Sequence, residues 1–322
     1  MTVARSASLP VAGPWDLDHA LGLLAAHAVP GAELVDREAG THARVVPRAV
    51  PAAVAAGGAV RGSDGTAGPV PDGGRSGGPG HVRLDLRLAP DHVHLTATPA
   101  DGPPLGDDEL ADLVAVVRRW LDLDADLDAV AATFAGDGLL APSLARRPGI
   151  RITGHPVGWE AAAATVLGQQ VSLAAARTFA GRLVAAHGVA APGTGGLLAW
   201  PSARTVADTD VDELRAVVGV TNARARTLHA VAAAFADGLE VHPGADRVEA
   251  RRTLLALPGV GPWTVEYLAV RALGDRDAWP SGDLVLRRAL GGRTAREVDA
   301  AGAAWSPHRA YALFHLWADA LG

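Results

Sequence analysis

Residues Leu255–Leu290 read LALPGVGPWTVEYLAVRALGDRDAWPSGDLVLRRAL, and this stretch decides the fold of the chain. Within it, a Leu-Pro-Gly-Val-Gly turn separates two runs with helical periodicity. Pro262 is well placed as the first residue of the second helix, because its missing N–H would be unpaired there. Gly259 and Gly261 allow a tight reversal and leave backbone N–H groups uncovered. At a helix N-terminus, such groups form a small site for one phosphate.

The same stretch carries an aromatic pair and an aspartate. Trp263 and Tyr267 are four residues apart, so their rings are predicted to lie on one face of a helix. Asp283 precedes the apolar run 284–286 and is predicted to cap a helix N-terminus. The N–H groups of that helix are expected to hold its carboxyl group ionised. Taken alone, a capping aspartate favours a purely structural role.

Composition excludes several classes of protein. The chain has 322 residues, enough for two compact domains. It has no cysteine, which excludes disulfides, a thiolate nucleophile and a cysteine-ligated iron–sulfur cluster. All 29 basic residues are arginine, so no lysine side chain can form a Schiff base with an opened sugar.

The charge is unevenly distributed along the chain. The formal net charge of −6 is unusual for a protein that binds nucleic acid. Residues 151–322 carry 17 Arg and 16 acidic residues, a net charge of +1, which leaves 12 and 19, a net charge of −7, for residues 1–150. Because local fields matter more than the total, the charge neither supports nor excludes a nucleic-acid partner.

The first part of the chain is predicted to form an antiparallel α+β unit. An amphipathic helix is predicted at residues 15–29, and three segments alternate with the period of a strand, namely 41–46, 81–88 and 92–98. Residues 57–80 are rich in Gly, Pro, Ser and Asp, which predicts a mobile loop. His92 and His94 share one face of a strand, but no carboxylate or third ligand lies at a convincing spacing, so they and His81 are predicted to face solvent and no metal site is predicted.

Past residue 104, the periodicity becomes helical. Helices are predicted at 107–123, 126–134, 158–166, 173–187, 212–218, 222–236 and 248–257. The sequence therefore predicts an α+β accessory domain at residues 1–104 and an all-α domain at residues 105–322.

The hairpin, the aromatic pair and the aspartate together resemble the helix-hairpin-helix (HhH-GPD) DNA glycosylases. The resemblance is greatest to the alkylation-repair branch, that of DNA-3-methyladenine glycosylase II. It covers nearly the whole chain, because a sheet domain, a Gly-Gln-Gln-Val-Ser turn at 168–172 and the hairpin follow in the family's order. The Gly-rich loop is the main departure. The resemblance implies an antiparallel α+β domain followed by an all-α helix-hairpin-helix glycosylase domain.

The resemblance also implies a catalytic site. Asp283, twenty residues after Trp263, stands where the family has its catalytic aspartate. Trp263, Tyr267 and Trp317 would form the pocket for the damaged base, since an extruded base needs new stacking partners. The alternative for each ring is a place in the hydrophobic core.

Contacts with DNA follow from the same resemblance. Gln170 matches the tip of the turn that enters the duplex and would fill the space left by the extruded base. Some relatives have an aliphatic residue there, and the alternative is an ordinary buried helix break. Backbone N–H groups near Gly259, Gly261 and Thr264 would contact phosphates. Relatives also hold a metal ion on hairpin carbonyls, so the only cofactor that the resemblance implies is a monovalent or divalent cation at the hairpin.

Methylation at N3 or N7 gives a purine a positive charge, which an aromatic face attracts by roughly 0.5–2 kcal/mol. Such a base leaves readily, and a carboxylate near C1′ stabilises the oxocarbenium-like sugar. Trp263 stands where bifunctional relatives carry a lyase lysine. The sequence therefore predicts a monofunctional glycosylase that excises alkylated purines of the 3-methyladenine and 7-methylguanine type in base excision repair.

Two alternatives remain, a helix-hairpin-helix glycosylase for another damaged base and a non-catalytic protein that binds DNA damage. The predicted partner is double-stranded DNA with a damaged base. We expect a cytosolic monomer that binds no membrane, because no apolar run reaches ~18 residues and no secretory signal is seen.

Overall fold

The computed structural model describes residues 3–50 and 80–321, and the first part of the chain forms a five-stranded sheet. The strands are β1 (Arg5–Pro10), β2 (Glu33–Asp36), β3 (Thr41–Pro47), β4 (His81–Leu88) and β5 (His92–Pro99). They pair in the order β1-β5-β4-β3-β2, and every pair is antiparallel. The predicted loop at residues 57–80 lies, up to residue 79, outside the described residues. The predicted antiparallel sheet is confirmed.

Two helices pack on this sheet. Helix α1 (Leu17–His27) begins after Asp16, whose Oδ1 accepts a hydrogen bond from the His19 backbone N–H at 3.0 Å. Helix α2 (Asp107–Trp120) buries Leu113, Val116 and Val117 in the same core as β4 and β5. The sheet core therefore continues past residue 104, and the predicted domain boundary there stays a prediction.

The rest of the chain is helical apart from a small two-stranded ribbon, β6 (Val189–Ala190) with β7 (Leu198–Ala199). Its helices are α3 (Leu127–Phe134), α4 (Leu140–Arg146), α5 (Gly158–Gly168), α6 (Leu173–His187), α7 (Ala203–Ala207), α8 (Val211–Val218), α9 (Asn222–Ala236), α10 (Arg247–Ala256), α11 (Pro262–Arg271), α12 (Leu284–Ala289), α13 (Ala295–Gly302) and α14 (Arg309–Leu321). They surround one large apolar core. The predicted all-α region is confirmed.

A buried ion pair joins the two halves. Arg44 on β3 donates to the carboxylate of Glu160 on α5, and both side chains are only 2% exposed. Glu33 on β2 lies on the other side of Arg44, with 3.7 Å between Nη1 and Oε1. Burial raises the pKa of Glu160 to about 7, although Arg44 opposes the shift. The buried pair therefore connects β3 of the sheet with α5 of the helical half.

Within residues 3–50 and 80–321, no helix combines the length and apolar character needed to cross a membrane.

Candidate active site

The hairpin between α10 and α11 has the predicted form. Pro262 is the first residue of α11, as predicted. Gly259 has a φ of +78°, and a Cβ there would lie 2.0 Å from Oγ1 of Thr227 on α9. A Cβ on Gly261 would meet nothing within 4 Å, so this glycine opens onto free space. The first turn of a helix leaves its N–H groups without intrahelical acceptors, and here they border that space.

Asp283 is the N-cap of α12 and receives three hydrogen bonds. Its Oδ1 accepts one from the Leu286 backbone N–H at 2.8 Å, which confirms the predicted cap. The same oxygen accepts one from the indole Nε1–H of Trp317 at 3.1 Å. Its Oδ2 accepts one from the indole Nε1–H of Trp263 at 3.1 Å. The side chain is half-buried and borders a cleft, so the carboxylate is fixed yet reachable.

The three predicted rings line that cleft, whose volume is about 670 Å³. Trp263 and Tyr267 are stacked, with ring centroids 5.2 Å apart and an angle of 28° between their planes. Trp317, on α14, lies 6.2 Å from Tyr267 at an angle of 45°. All three side chains are partly exposed, which distinguishes them from core residues such as Tyr311. The structure therefore brings the three rings and Asp283 together.

Arg271, which the sequence analysis missed, lines the same cleft. Its Nη1 donates to the Tyr267 hydroxyl at 2.9 Å, and its Cζ lies 5.5 Å from the centroid of that ring. It is only 8% exposed. Arg271 follows Tyr267 by four residues, as Tyr267 follows Trp263, so the three side chains share one face of the helix. This spacing in the sequence could have indicated that Arg271 belongs to the site.

A second DNA-binding candidate lies at the turn between α5 and α6. Gln170 is exposed and has a φ of +55°, which non-glycine residues rarely adopt. Its neighbour Gln169 donates from Nε2 to the Gly259 carbonyl at 3.0 Å and to Thr264 Oγ1 at 3.1 Å. Thr264 is 3% exposed, and its hydroxyl accepts the hydrogen bond from Gln169, so its side chain belongs to the support of the turn. The turn is therefore not an ordinary buried helix break.

The histidines at positions 92 and 94 on β5 lie away from this cleft. His92 and His94 contact each other, with 2.9 Å between their Nε2 atoms. The described residues contain no cluster of three or more His, Cys, Asp or Glu suited to a metal ion.

A larger cleft, of about 800 Å³, shares Arg271 but lacks Asp283 and the three rings. We assign the site to the smaller cleft because the aspartate and the rings meet there.

Comparison with known proteins defines the class. The model of the AlkA N-terminal domain matches residues 6–156, and that of the HhH-GPD superfamily base excision DNA repair protein matches residues 163–294. The first match covers the sheet region, and the second covers the hairpin region. Residues 163–294 therefore carry an HhH-GPD superfamily domain and residues 6–156 an AlkA-type N-terminal domain, which confirms the predicted resemblance.

Individual relatives agree with this assignment. The chain is 38% identical over 322 residues to the probable bifunctional transcriptional activator/DNA repair enzyme AlkA of Mycobacterium tuberculosis, covering 97% of this chain and 56% of that one. It thus spans little more than half of that relative's length. It is 29% identical over 208 residues to DNA-3-methyladenine glycosylase 2 of Escherichia coli, covering 64% of this chain and 71% of that one.

Among solved structures, the 3-methyladenine DNA glycosylase from Archaeoglobus fulgidus superposes with a TM-score of 0.75 at 18% identity, covering 98% of each chain. At that identity the likeness shows the fold alone, and it confirms the predicted order of a sheet domain and a helical domain.

Proposed function

We propose that this chain is a monofunctional DNA glycosylase that excises alkylated purines, of the 3-methyladenine and 7-methylguanine type, from double-stranded DNA. It would flip the damaged base and hydrolyse the N-glycosidic bond, the first step of base excision repair. The observation that carries the proposal is the carboxylate of Asp283, which two indole N–H groups hold beside an aromatic cleft. The relative named DNA-3-methyladenine glycosylase 2 supports the choice of substrate.

The rings suit a base that carries positive charge. A purine methylated at N3 or N7 is cationic, and the faces of Trp263, Tyr267 and Trp317 attract a cation and replace the stacking lost on flipping. The charge also makes the base a good leaving group, so the site has little need of a general acid. Selectivity would then come from the rings and from the shape of the cleft.

Asp283 would act on the sugar. As the glycosidic bond breaks, positive charge develops near C1′, and a fixed carboxylate stabilises it electrostatically. Oδ1 already accepts two hydrogen bonds, whereas Oδ2 accepts one from Trp263. A carboxylate oxygen has room for a further donor, so Oδ2 is the atom that we assign to the attacking water.

The DNA would be held at two places. The N–H groups near Gly259, Gly261 and Thr264 would bind one phosphate, since the open space at Gly261 lets a backbone approach closely. Gln170, exposed at the tip of its turn, would fill the space vacated by the flipped base. A cation on the hairpin carbonyls, the monomeric state and the cytosolic location stay predictions.

The reaction would stop at an abasic site. Strand cleavage by a bifunctional glycosylase uses an amine that forms a Schiff base with the opened sugar, and this chain has no lysine. Incubation with damaged duplex should therefore leave the strand intact until alkali is added. Strand nicking without alkali, accompanied by borohydride trapping of a protein–DNA adduct, would contradict the monofunctional assignment.

The direct test is a panel of duplexes, each with one damaged base, assayed for the free base released. The protein should release methylated purines, and Asp283→Asn should reduce the rate by about 10²–10³-fold or more while DNA binding remains. Asparagine still caps a helix, so the variant should fold. Asp246→Asn is the matched control, because it changes the same charge at the N-cap of α10, outside the cleft.

Three outcomes discriminate the alternatives. Tight binding of damaged duplex without release of any base would favour the non-catalytic binding protein. Release of only uncharged damaged bases would favour a glycosylase for another lesion. Normal excision by Asp283→Asn would remove the catalytic role of that residue.

A further inference from the structure

Gln169, the residue before the proposed wedge, is the point where three elements meet. Its side chain bonds the hairpin twice, through the Gly259 carbonyl and the Thr264 hydroxyl, at 3.0 and 3.1 Å. Its backbone carbonyl accepts a hydrogen bond from the guanidinium of Arg224 on α9. One residue therefore links the turn between α5 and α6 to both the hairpin and α9.

Helix α9 also supports the hairpin directly. Thr227 follows Arg224 by three residues, so the two side chains share one face of the helix. Thr227 lies so close to Gly259 that a Cβ there would come within 2.0 Å of its Oγ1. The guanidinium of Arg224 lies 5.8 Å from the ring centroid of Phe179 on α6. The turn and the hairpin thus rest on the same face of α9.

The backbone at Gln170 shows why such support is needed. Its φ of +55° lies in the left-handed region, where a residue with a side chain persists only if its surroundings fix it. Gln170 itself is exposed. The contacts that fix the turn are therefore those of its neighbour, on the side of the turn that faces the hairpin.

We propose that Gln169 is a positioning residue, which sets the distance between the wedge Gln170 and the phosphate-binding hairpin, with Arg224 in support. The inference rests on the proposed function. A wedge acts on extrusion of the base, whereas Asp283 acts on cleavage of the bond. Loss of Gln169 should therefore slow excision most where the damaged base has to be unpaired and unstacked first, because flipping is cheapest for an unpaired base.

The test compares two duplexes that carry the same 7-methylguanine, placed opposite cytosine in one and opposite an abasic analogue in the other. Gln169→Leu keeps the size of the side chain and removes both hydrogen bonds. Measured under single-turnover conditions, it should slow release from the paired duplex by roughly 5- to 150-fold, the range for two neutral hydrogen bonds. Release from the unpaired duplex should change much less.

Two further variants define the expected pattern. Gln170→Ala, at the adjacent glutamine, should reproduce the selective loss on the paired duplex. Asp283→Asn should slow release from both duplexes by the same factor, because it acts after flipping. Arg224→Gln should show the same selective loss in weaker form. It replaces Gln169→Leu in the test if thermal denaturation shows that Gln169→Leu is not folded.

Equal slowing of both duplexes by Gln169→Leu would overturn the inference, because a merely structural role lowers activity without regard to pairing. An unchanged rate on the paired duplex would overturn it as well. Absence of release by the wild-type protein from either duplex would instead refute the proposed function, and the inference with it.

Discussion

Replacing Gly259 by alanine should destabilise the protein and displace the hairpin. The left-handed backbone costs a residue with a Cβ about 1–2 kcal/mol. The new methyl group would also stand 2.0 Å from Oγ1 and 3.1 Å from Cβ and Cγ2 of Thr227, so α9 or the hairpin has to move. Overpacking of this kind costs about 1–3 kcal/mol. The two contributions give a loss of about 2–5 kcal/mol in the free energy of unfolding.

The assay is urea denaturation, with Gly261→Ala as the matched control. Gly261 has a φ of −105°, and its Cβ would meet nothing, so that variant should stay within about 0.5 kcal/mol of the wild type. Its methyl group should instead weaken DNA binding, since it stands beside the proposed phosphate site. Thr227→Ala in the Gly259→Ala background should recover part of the lost stability. Equal stability of the two glycine variants would refute the steric argument.

Three further predictions concern side chains around the cleft and the core. Arg271→Met should lower the rate of base release, since it removes both the hydrogen bond to the Tyr267 hydroxyl and the guanidinium that lies over the Tyr267 ring. Arg271→Lys should restore the rate only in part. An unchanged rate in Arg271→Met would show that Arg271 does not hold the ring. Glu160→Ala should cost about 1–3 kcal/mol in urea denaturation, because it removes a buried acceptor from the Arg44 guanidinium while Glu33 stays 3.7 Å from it, whereas Glu160→Gln keeps an acceptor and should cost less; equal costs would contradict this. Burial lowers the pKa of His315 from 6.5 to about 4. Between these pH values the unfolded chain binds a proton that the folded protein does not, so the free energy of unfolding should fall by about 3 kcal/mol as the pH drops from 6.5 to 4. Urea denaturation across this range should show a shallower pH dependence for His315→Gln, and identical slopes would contradict the assignment.

Elements with local signals were predicted closely. Helices α6 and α9 begin and end at the predicted residues. Ser172 and Thr221 mark their starts in the sequence, because each caps its helix through its own hydroxyl group. Strand β1 was missed because its partner β5 lies some ninety residues away, so pairing rather than alternation makes it a strand. Strand β2 has only four residues, too few for a periodic signal.

The candidate site, too, was predicted where the signal is local and missed where it depends on packing between helices. Spacing along α11 predicted that Trp263 and Tyr267 share one face of a helix, and the structure shows their rings stacked there. The sequence did not predict that the indole N–H groups of Trp263 and Trp317 hold Asp283, since that depends on how α11, α12 and α14 pack against each other. The family resemblance placed Trp317 in the pocket without indicating its hydrogen bond.

This packing has a consequence for the proposed chemistry. The two indoles that line the cleft also donate their Nε1–H groups to the carboxylate of Asp283. A base that stacks on those rings is therefore positioned by the same groups that position the carboxylate. A shift of either ring would move the carboxylate together with the cleft, so in the proposed reaction binding of the leaving group and stabilisation of the sugar would be coupled through Trp263 and Trp317. A charge held by rigid, preoriented donors needs no rearrangement as the glycosidic bond breaks, which is the condition under which electrostatic stabilisation is most effective.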